Sequence, residues 1–217
     1  MKNSKILLPS LISLLPIVYG GLLWQYLPQR LPIHFGINGQ PDQYAPKLIA
    51  VIGLPVLIIV VNYVIIRSMK HKGSDNQKVF TVIIWSLPLL LNVVQIVTFM
   101  YALNHPFNII SIILPVIGVL LIVLGNYLPK TTPNYMIGIR LPETLHNSEN
   151  WQKTNRIGGF VMVFAGFILI ITGIIGNTIA VIGLILSMVL IIVVPTIYAI
   201  WLGLINKIDI CNEKDCS

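Results

Sequence analysis

The fold is decided by a long apolar stretch near the carboxyl end of the chain, which reads IGGFVMVFAGFILIITGIIGNTIAVIGLILSMVLIIVVPTIYAIWLGLI over residues 157–205. It contains no Asp, Glu, Lys, Arg or His, and Gly176 and Asn177 divide it into two segments. The hydrocarbon layer of a bilayer needs about 20 apolar residues in a helix, because no backbone N–H or C=O can stay unpaired there. The stretch therefore predicts two antiparallel membrane-spanning helices, residues 157–175 and 178–205.

Four more apolar segments precede this stretch, and none of them contains Asp, Glu, Lys, Arg or His. Of the 217 residues, 56% are hydrophobic and only 10% are charged, against about 25% charged in an ordinary globular chain. So few charges cannot keep a water-facing surface polar. The sequence predicts an all-α polytopic membrane protein with six transmembrane helices, residues 6–27, 48–66, 79–103, 107–128, 157–175 and 178–205.

The Lys and Arg residues predict the orientation of these spans. Short cytoplasmic loops carry an excess of Lys and Arg. Twelve of the 14 fall on the side that includes both termini, and the opposite side holds only Arg30 and Lys47. We therefore expect both termini in the cytoplasm. The net charge of +7 is then an orientation signal, and because the basic residues are dispersed with no recognition helix, direct nucleic-acid binding is not expected.

The first external connection, LPQRLPIHFGINGQPDQYAPK, runs from Leu27 to Lys47, with its loop motif over residues 28–47. Its prolines forbid a continuous helix, and Asn38-Gly39 is a tight-turn signal, so we expect a compact loop or a hairpin over residues 33–44. His34 and Asp42 have no third ligand for a metal, and a hydrogen bond within the loop is the better interpretation. Phe35 and Tyr44 are expected to be interfacial aromatic residues.

The cytoplasmic connection over residues 125–159 predicts a helix that continues into the fifth span. Ser148 is the expected N-cap, Glu149 and Lys153 have i,i+4 spacing, and Trp151 is expected near the lipid headgroups. The exposed basic residues have two interpretations: lipid phosphate binding or a specific protein contact. These residues are Arg140, Lys153 and Arg156.

Nothing in the sequence predicts a cofactor, a metal site or an enzyme. Glu143, His146 and Glu149 share the cytoplasmic loop, but Pro142 and Asn147-Ser148 interrupt a helix that would align them. Cys211 and Cys216 lie in the polar tail, in a compartment expected to be reducing, without a histidine or second pair nearby. Prolines in five spans and the side chains of Asn62, Asn92, Gln95 and Asn126 are explained by packing and hydrogen bonds between membrane helices.

Two groups of residues make the chain resemble the SdpI family of bacterial membrane proteins. In the external loop they are Leu27, Pro28, Leu31, Pro32, His34, Phe35, Gly39, Asp42 and Lys47. In the cytoplasmic connection they are Gly125, Asn126, Leu128, Pro129, Lys130, Pro133, Asn134, Tyr135, Gly138, Ile139, Arg140, Pro142, Thr144, Leu145, Trp151, Thr154, Asn155 and Arg156. The chain departs from the family pattern at Glu143, where a Trp is usual, and at Asn155, where a His is common.

The resemblance implies an immunity protein that protects the producing cell from a secreted sporulation-delaying peptide toxin. It also implies possible binding of a cytoplasmic autorepressor at the membrane once toxin is bound. We expect toxin sensing by His34, Phe35, Gly39, Asp42 and Lys47. The candidate cytoplasmic surface comprises Asn126, Pro129, Asn134, Gly138, Arg140, Pro142, Thr144, Trp151 and Arg156.

A second function stays open, namely a small carrier or flippase for a lipid or a hydrophobic peptide. Ion-coupled carriers usually place an ionisable side chain inside the membrane, and all six predicted spans lack one. The immunity function is therefore the preferred interpretation. Expected partners are membrane lipid, the peptide toxin and a repressor protein.

Overall fold

A computed structural model of the chain describes residues 4–70, 77–105, 107–134 and 137–214. Predictions that involve Lys2, Lys72, Tyr135 and Cys216 lie outside the described residues, as does any statement about the side chain of Cys211. In chain order the elements are α1 (Ser4–Leu22), β1 (Arg30–Phe35), β2 (Pro41–Pro46), α2 (Lys47–Lys70), α3 (Gln77–Ala102), α4 (Ile110–Tyr127), a 3₁₀ turn (Leu128–Lys130), α5 (Pro142–Leu145), α6 (Ser148–Ile175) and α7 (Asn177–Lys214).

The protein is mostly helical, and within the described residues five helices are long and apolar enough to cross a membrane. They lie at Lys47–Arg67, Lys78–Ala102, Ile110–Lys130, Ser148–Ile175 and Thr178–Ile205. The first predicted span instead contains a shorter apolar helix, Leu7–Leu22. The expected hairpin is present as an antiparallel pair of strands, so the all-α description needs this one correction.

Helix α1 ends at Leu22, five residues before the predicted end of the span, and tighter turn bonds follow it, from Trp24 N–H to Gly21 O at 3.2 Å and from Tyr26 N–H to Leu23 O at 2.9 Å. Pro28 lacks the N–H group that would bond to the carbonyl of Trp24 in a continuing helix. The ammonium group of Lys47 takes that carbonyl instead, with 2.8 Å between Nζ and the oxygen, and it also bonds to the carbonyl of Leu27 at 2.7 Å. The chain turns after Leu22 and enters the hairpin.

Polar side chains satisfy the backbone carbonyls that prolines leave without a helical partner. Pro16 frees the carbonyl of Ile12, and Asn92 Nδ2 donates to it at 3.0 Å. Pro88 likewise frees the carbonyl of Ile84, to which Asn62 Nδ2 donates at 3.3 Å. Gln95 Nε2 also joins α3 to α2 through Ala50 O at 2.9 Å, although the carbonyl that Pro55 frees is that of Val51. The expectation that these amides join neighbouring helices is confirmed for Asn62, Asn92 and Gln95, whereas Asn126 is exposed.

The helices form two bundles, which α3 and α4 join. The N-terminal bundle contains α1, α2 and α3 with the hairpin, and the C-terminal bundle contains α4 to α7. Within the second bundle α4 and α6 approach closely at paired glycines seven residues apart on each helix. A Cβ on Gly118 would lie 2.5 Å from the carbonyl oxygen of Gly166, and one on Gly125 would lie 2.7 Å from that of Gly159. Side chains at these positions would therefore separate the helices.

Small residues also bring α6 and α7 together. Gly183 lies against the side chain of Thr172, with no room for a Cβ. The hydroxyl of Ser187 donates to the carbonyl of Ala165 at 3.2 Å. Helix α7 thus packs on α6 along its amino-terminal half, next to the hairpin end of the molecule.

Candidate functional site

The hairpin is held in shape by its own turn. Gly36 N–H bonds to Gln40 O at 2.8 Å, and the side chain of Asn38 accepts the N–H of Gln40 at 3.1 Å. Gly39 has a φ of +74°, which favours glycine, and it is buried against Asn108. The predicted tight turn at Asn38-Gly39 is confirmed, and Gly39 supplies the positive φ in it.

The tip of the hairpin docks on the end of α3. The rings of Phe35 and Tyr101 meet edge to face, with 5.5 Å between their centroids. The hydroxyl of Tyr101 donates to the side-chain oxygen of Gln40 at 3.1 Å. Phe35 therefore has a protein partner, whereas Tyr44 remains exposed. At the base of the hairpin, buried Lys47 caps the carbonyls after α1 and lies 4.9 Å from the ring centroid of Trp24.

His34 and Asp42 are the polar pair that the hairpin presents outward. His34 Nδ1 lies 2.6 Å from Asp42 Oδ1, and the two side chains are 60% and 51% exposed. The predicted hydrogen bond inside the loop is confirmed. Among the residues that the structure describes, no three His, Cys, Asp or Glu side chains are grouped to hold a metal ion.

Beneath this pair lies an apolar cavity of about 680 Å³, which we call the hairpin cavity. The hairpin covers it, and helices α3, α4 and α7 form its walls, so it lies between the two bundles. Its lining includes Ile33, His34, Asp42, Val97, Ile113, Val181 and Leu184. Sequence reasoning did not find the helical members, because each is one apolar residue among many and only the packing brings them together.

The cytoplasmic signature folds into a small hydrogen-bonded core around Trp151. This side chain is fully buried, and its Nε1 donates to the carbonyl of Thr131 at 2.9 Å. The backbone of Gly138, which has a φ of +122°, lies against the indole ring. A Cβ on this residue would come within 2.6 Å of Trp151 Cζ2. The indole of Trp151, which was expected near the headgroups, is enclosed by protein, with Thr131 and Gly138 against the ring.

Side-chain hydrogen bonds from α6, from α5 and from the segment itself fix the described residues before α5, namely 131–134 and 137–141. Buried Asn155 accepts the N–H of Ile139 at 2.9 Å and donates to Trp151 O at 2.9 Å. Buried Thr144 donates to the carbonyl of Ile139 at 2.8 Å. Asn134 Oδ1 accepts the N–H of Ile137 at 2.8 Å. These polar members of the signature serve the fold of the loop.

The cap of α6 differs by one residue from the prediction. Asn147, not Ser148, is the N-cap, and its side-chain oxygen accepts the N–H groups of Glu149 at 2.9 Å and Asn150 at 3.1 Å. Ser148 becomes the first residue of the helix because the Asn147 side chain reaches both of these N–H groups, which have no carbonyl partner within the helix. The Glu149–Lys153 ion pair is present, with 2.7 Å between Oε1 and Nζ.

The remaining signature residues lie near or on the surface of this core. Pro129 is partly buried against Gly159. The other four side chains are exposed, namely Asn126, Arg140, Pro142 and Arg156. The cytoplasmic candidates therefore divide into a buried scaffold and an exposed set.

Comparison with known proteins gives two family matches and one relative. Residues 130–199 match the SdpI/YfhL protein family, and residues 11–59 match a domain of unknown function, DUF1648. Over 143 residues the chain is 29% identical to Immunity protein SdpI of Bacillus subtilis strain 168, covering 65% of this chain and 68% of that protein. No solved structure matches the chain. The resemblance to the SdpI family is confirmed, and with its long apolar helices the chain is a multi-pass membrane protein.

Proposed function

We propose that this SdpI-like chain is an immunity protein, which protects the cell that makes it from a secreted peptide toxin. The observation that carries the proposal is its similarity to Immunity protein SdpI, which covers about two thirds of both chains. The cytoplasmic core lies within the SdpI/YfhL match, and the hairpin lies within the match to DUF1648. On this proposal the protein protects the cell by binding the toxin, and no catalysis is needed.

We propose six membrane spans with both termini in the cytoplasm. Helix Leu7–Leu22 is about 24 Å long at 1.5 Å per residue, so it needs the turn after Leu22 or local thinning of the bilayer to reach across. The excess of Lys and Arg on the terminal side supports this orientation, which puts the hairpin outside. Single cysteines at Gln40 and Gln152, in a chain with Cys211→Ser and Cys216→Ser, test it: an impermeant maleimide should label intact cells at position 40 only.

The hairpin is the proposed toxin-sensing element, through His34, Phe35, Gly39, Asp42 and Lys47. Its geometry supports two kinds of contribution. His34 and Asp42 are exposed and within reach of a ligand, whereas Gly39 and Lys47 are buried and shape the hairpin. A peptide arriving from outside would meet the exposed pair first.

The exposed cytoplasmic set is the proposed contact surface for a repressor protein, in a signalling role additional to immunity. Arg140 and Pro142 adjoin the short helix α5, and the buried Trp151 core holds this segment in place. Arg140→Ala should release a co-expressed repressor from the membrane to the soluble fraction. Gln152→Ala, an exposed change on α6 at a residue outside the candidate contact set, is the control and should leave the repressor at the membrane.

Expression in toxin-sensitive cells tests the immunity function. Cells that express the chain should survive a toxin concentration that kills cells with an empty vector. Equal killing of both, with the protein present in the membrane fraction, would sink the proposal. Uptake of labelled peptide into vesicles that contain the protein would instead point to the carrier function.

A further inference from the structure

We propose that the hairpin cavity binds the apolar segment of the toxin peptide, with the polar end of that segment at the His34–Asp42 pair. This inference rests on the proposed immunity function and names the place where the peptide is bound. It also explains why a hairpin from one bundle closes over a space bordered by the other.

The walls of the cavity select for an apolar group. Val97 of α3, Ile113 of α4 and Leu184 of α7 contribute aliphatic side chains from three directions. Its volume of about 680 Å³ falls within the range of about 300–1,000 Å³ that is typical of ligand sites. Several side chains of an apolar peptide would fit, and burying them there removes their surface from water.

The hairpin end of the cavity supplies polar chemistry and further apolar contact. Thr98, His34 and Asp42 line it, and one oxygen of the Asp42 carboxylate is bonded to the imidazole. Ile33 and Ile37 also line it while remaining 55% and 79% exposed. A ligand with an apolar body and a hydrogen-bond donor at one end matches this arrangement.

Charge favours a peptide over a phospholipid. The lining contains the carboxylate of Asp42 but no Lys or Arg, so the phosphate of a lipid finds no cation there and meets a negative group instead. The backbone N–H groups or an amine of a peptide are donors, and a carboxylate accepts their hydrogen bonds strongly. We therefore assign the cavity to the peptide and treat occupation by a lipid acyl chain as an outcome of the test.

Neighbouring residues of α7 provide matched variants. Val181 and Leu184 line the cavity, whereas Ile182 and Ile185 point away from it and are each 58% exposed. Val181→Trp and Leu184→Trp should each fill the cavity and lower the protective effect of the chain against toxin at least tenfold. Ile182→Trp and Ile185→Trp add the same bulk one position along the helix and should protect as the unmodified chain does.

A binding measurement keeps the proposal testable if the tryptophan variants fail to fold. Leu184→Cys, made with Cys211→Ser and Cys216→Ser, is labelled with bimane and placed in vesicles of phosphatidylethanolamine and phosphatidylglycerol. A synthetic sporulation-delaying toxin peptide should shift the bimane emission in a saturable way. The same label at Ile185→Cys should respond weakly and without saturation.

The outcomes separate this inference from the proposed function. If the unmodified chain protects cells and folded Val181→Trp and Leu184→Trp protect equally well, the cavity is not the binding site although the immunity function stands. A different result would overturn the inference: the peptide leaves the bimane emission at position 184 unchanged, while lipids with brominated acyl chains quench it. That result would show that the cavity holds lipid. If the unmodified chain gives no protection, the immunity function itself fails.

Discussion

The hairpin and the cytoplasmic signature are both loops rich in motif residues, yet they use those residues in different ways. The hairpin buries its framework, Gly39 and Lys47, and leaves His34 and Asp42 exposed above a cavity. The cytoplasmic signature instead places its largest member, Trp151, in the centre of a hydrogen-bonded core. A motif can therefore mark a contact surface in one loop and a folding unit in the other.

Chemistry separates the two uses within each loop. Residues that serve the framework bond to backbone groups: Lys47 to two carbonyls, Trp151 to a third, and Asn155 to an amide and a carbonyl. His34 and Asp42 bond to each other through side chains that remain more than half exposed. We therefore expect substitutions that disturb the framework residues to lower stability strongly, and substitutions of His34 or Asp42 to lower it little.

The largest effect is expected for Gly138→Ala in the cytoplasmic core. A methyl group would lie 2.6 Å from the indole of Trp151, on a backbone with a φ of +122°. Steric overlap and backbone strain together should lower the free energy of unfolding by about 3 kcal/mol. Thermal unfolding in detergent, followed by the near-ultraviolet signal of the tryptophans, measures the change.

Gly21→Ala provides the control for that variant, because an added Cβ there meets nothing within 4 Å. It should unfold at the temperature of the unmodified protein or slightly above it, since alanine favours a helix. Equal unfolding temperatures for Gly138→Ala and Gly21→Ala would show that the cytoplasmic core does not depend on close contact with Trp151.

The next effect is expected for Lys47→Met, the framework residue of the hairpin. The change keeps an apolar stem but removes the ammonium group from the carbonyls of Trp24 and Leu27. Losing hydrogen bonds from a charged donor should reduce stability by about 2 kcal/mol in the same unfolding measurement.

Arg30→Met is the control for this variant. It removes an exposed cation on the same hairpin and should reduce stability by less than half as much. A smaller loss for Lys47→Met than for Arg30→Met would mean that this end of α1 is capped in another way.

The sequence predicts those parts of the molecule that depend on local chemistry. Apolar length predicts α2, α3, α4, α6 and α7, and Asn38-Gly39 predicts the turn of the hairpin. The interhelical bonds of Asn62 and Asn92 follow because a proline frees a carbonyl and lipid offers no other donor. The spans and the turn need no knowledge of the tertiary arrangement, whereas the particular carbonyl that each Asn reaches does.

The parts that sequence reasoning missed depend on distant contacts. The burial of Trp151 requires Gly138 and Thr131 to fold over it, and a tryptophan near a predicted membrane end is equally typical of an interfacial anchor. The seven-residue spacing of Gly118 with Gly125, and of Gly159 with Gly166, was a usable signal for the α4–α6 contact. The hairpin cavity had no such signal, because the hairpin, the consecutive helices α3 and α4, and the distant α7 create it together.

The smallest change in stability is expected for Asp42→Asn, although we expect a large change in function. The amide nearly preserves the shape of the carboxylate and removes its charge, and an exposed pair of hydrogen-bonded side chains contributes at most about 1 kcal/mol. Unfolding should therefore stay close to that of the unmodified protein, while protection against toxin falls because the peptide loses its charged acceptor. Asp42→Glu should restore part of the protection, since it returns the carboxylate about one bond further out. A loss of stability comparable to that of Gly138→Ala would place His34 and Asp42 in the framework and remove the contrast between the two loops.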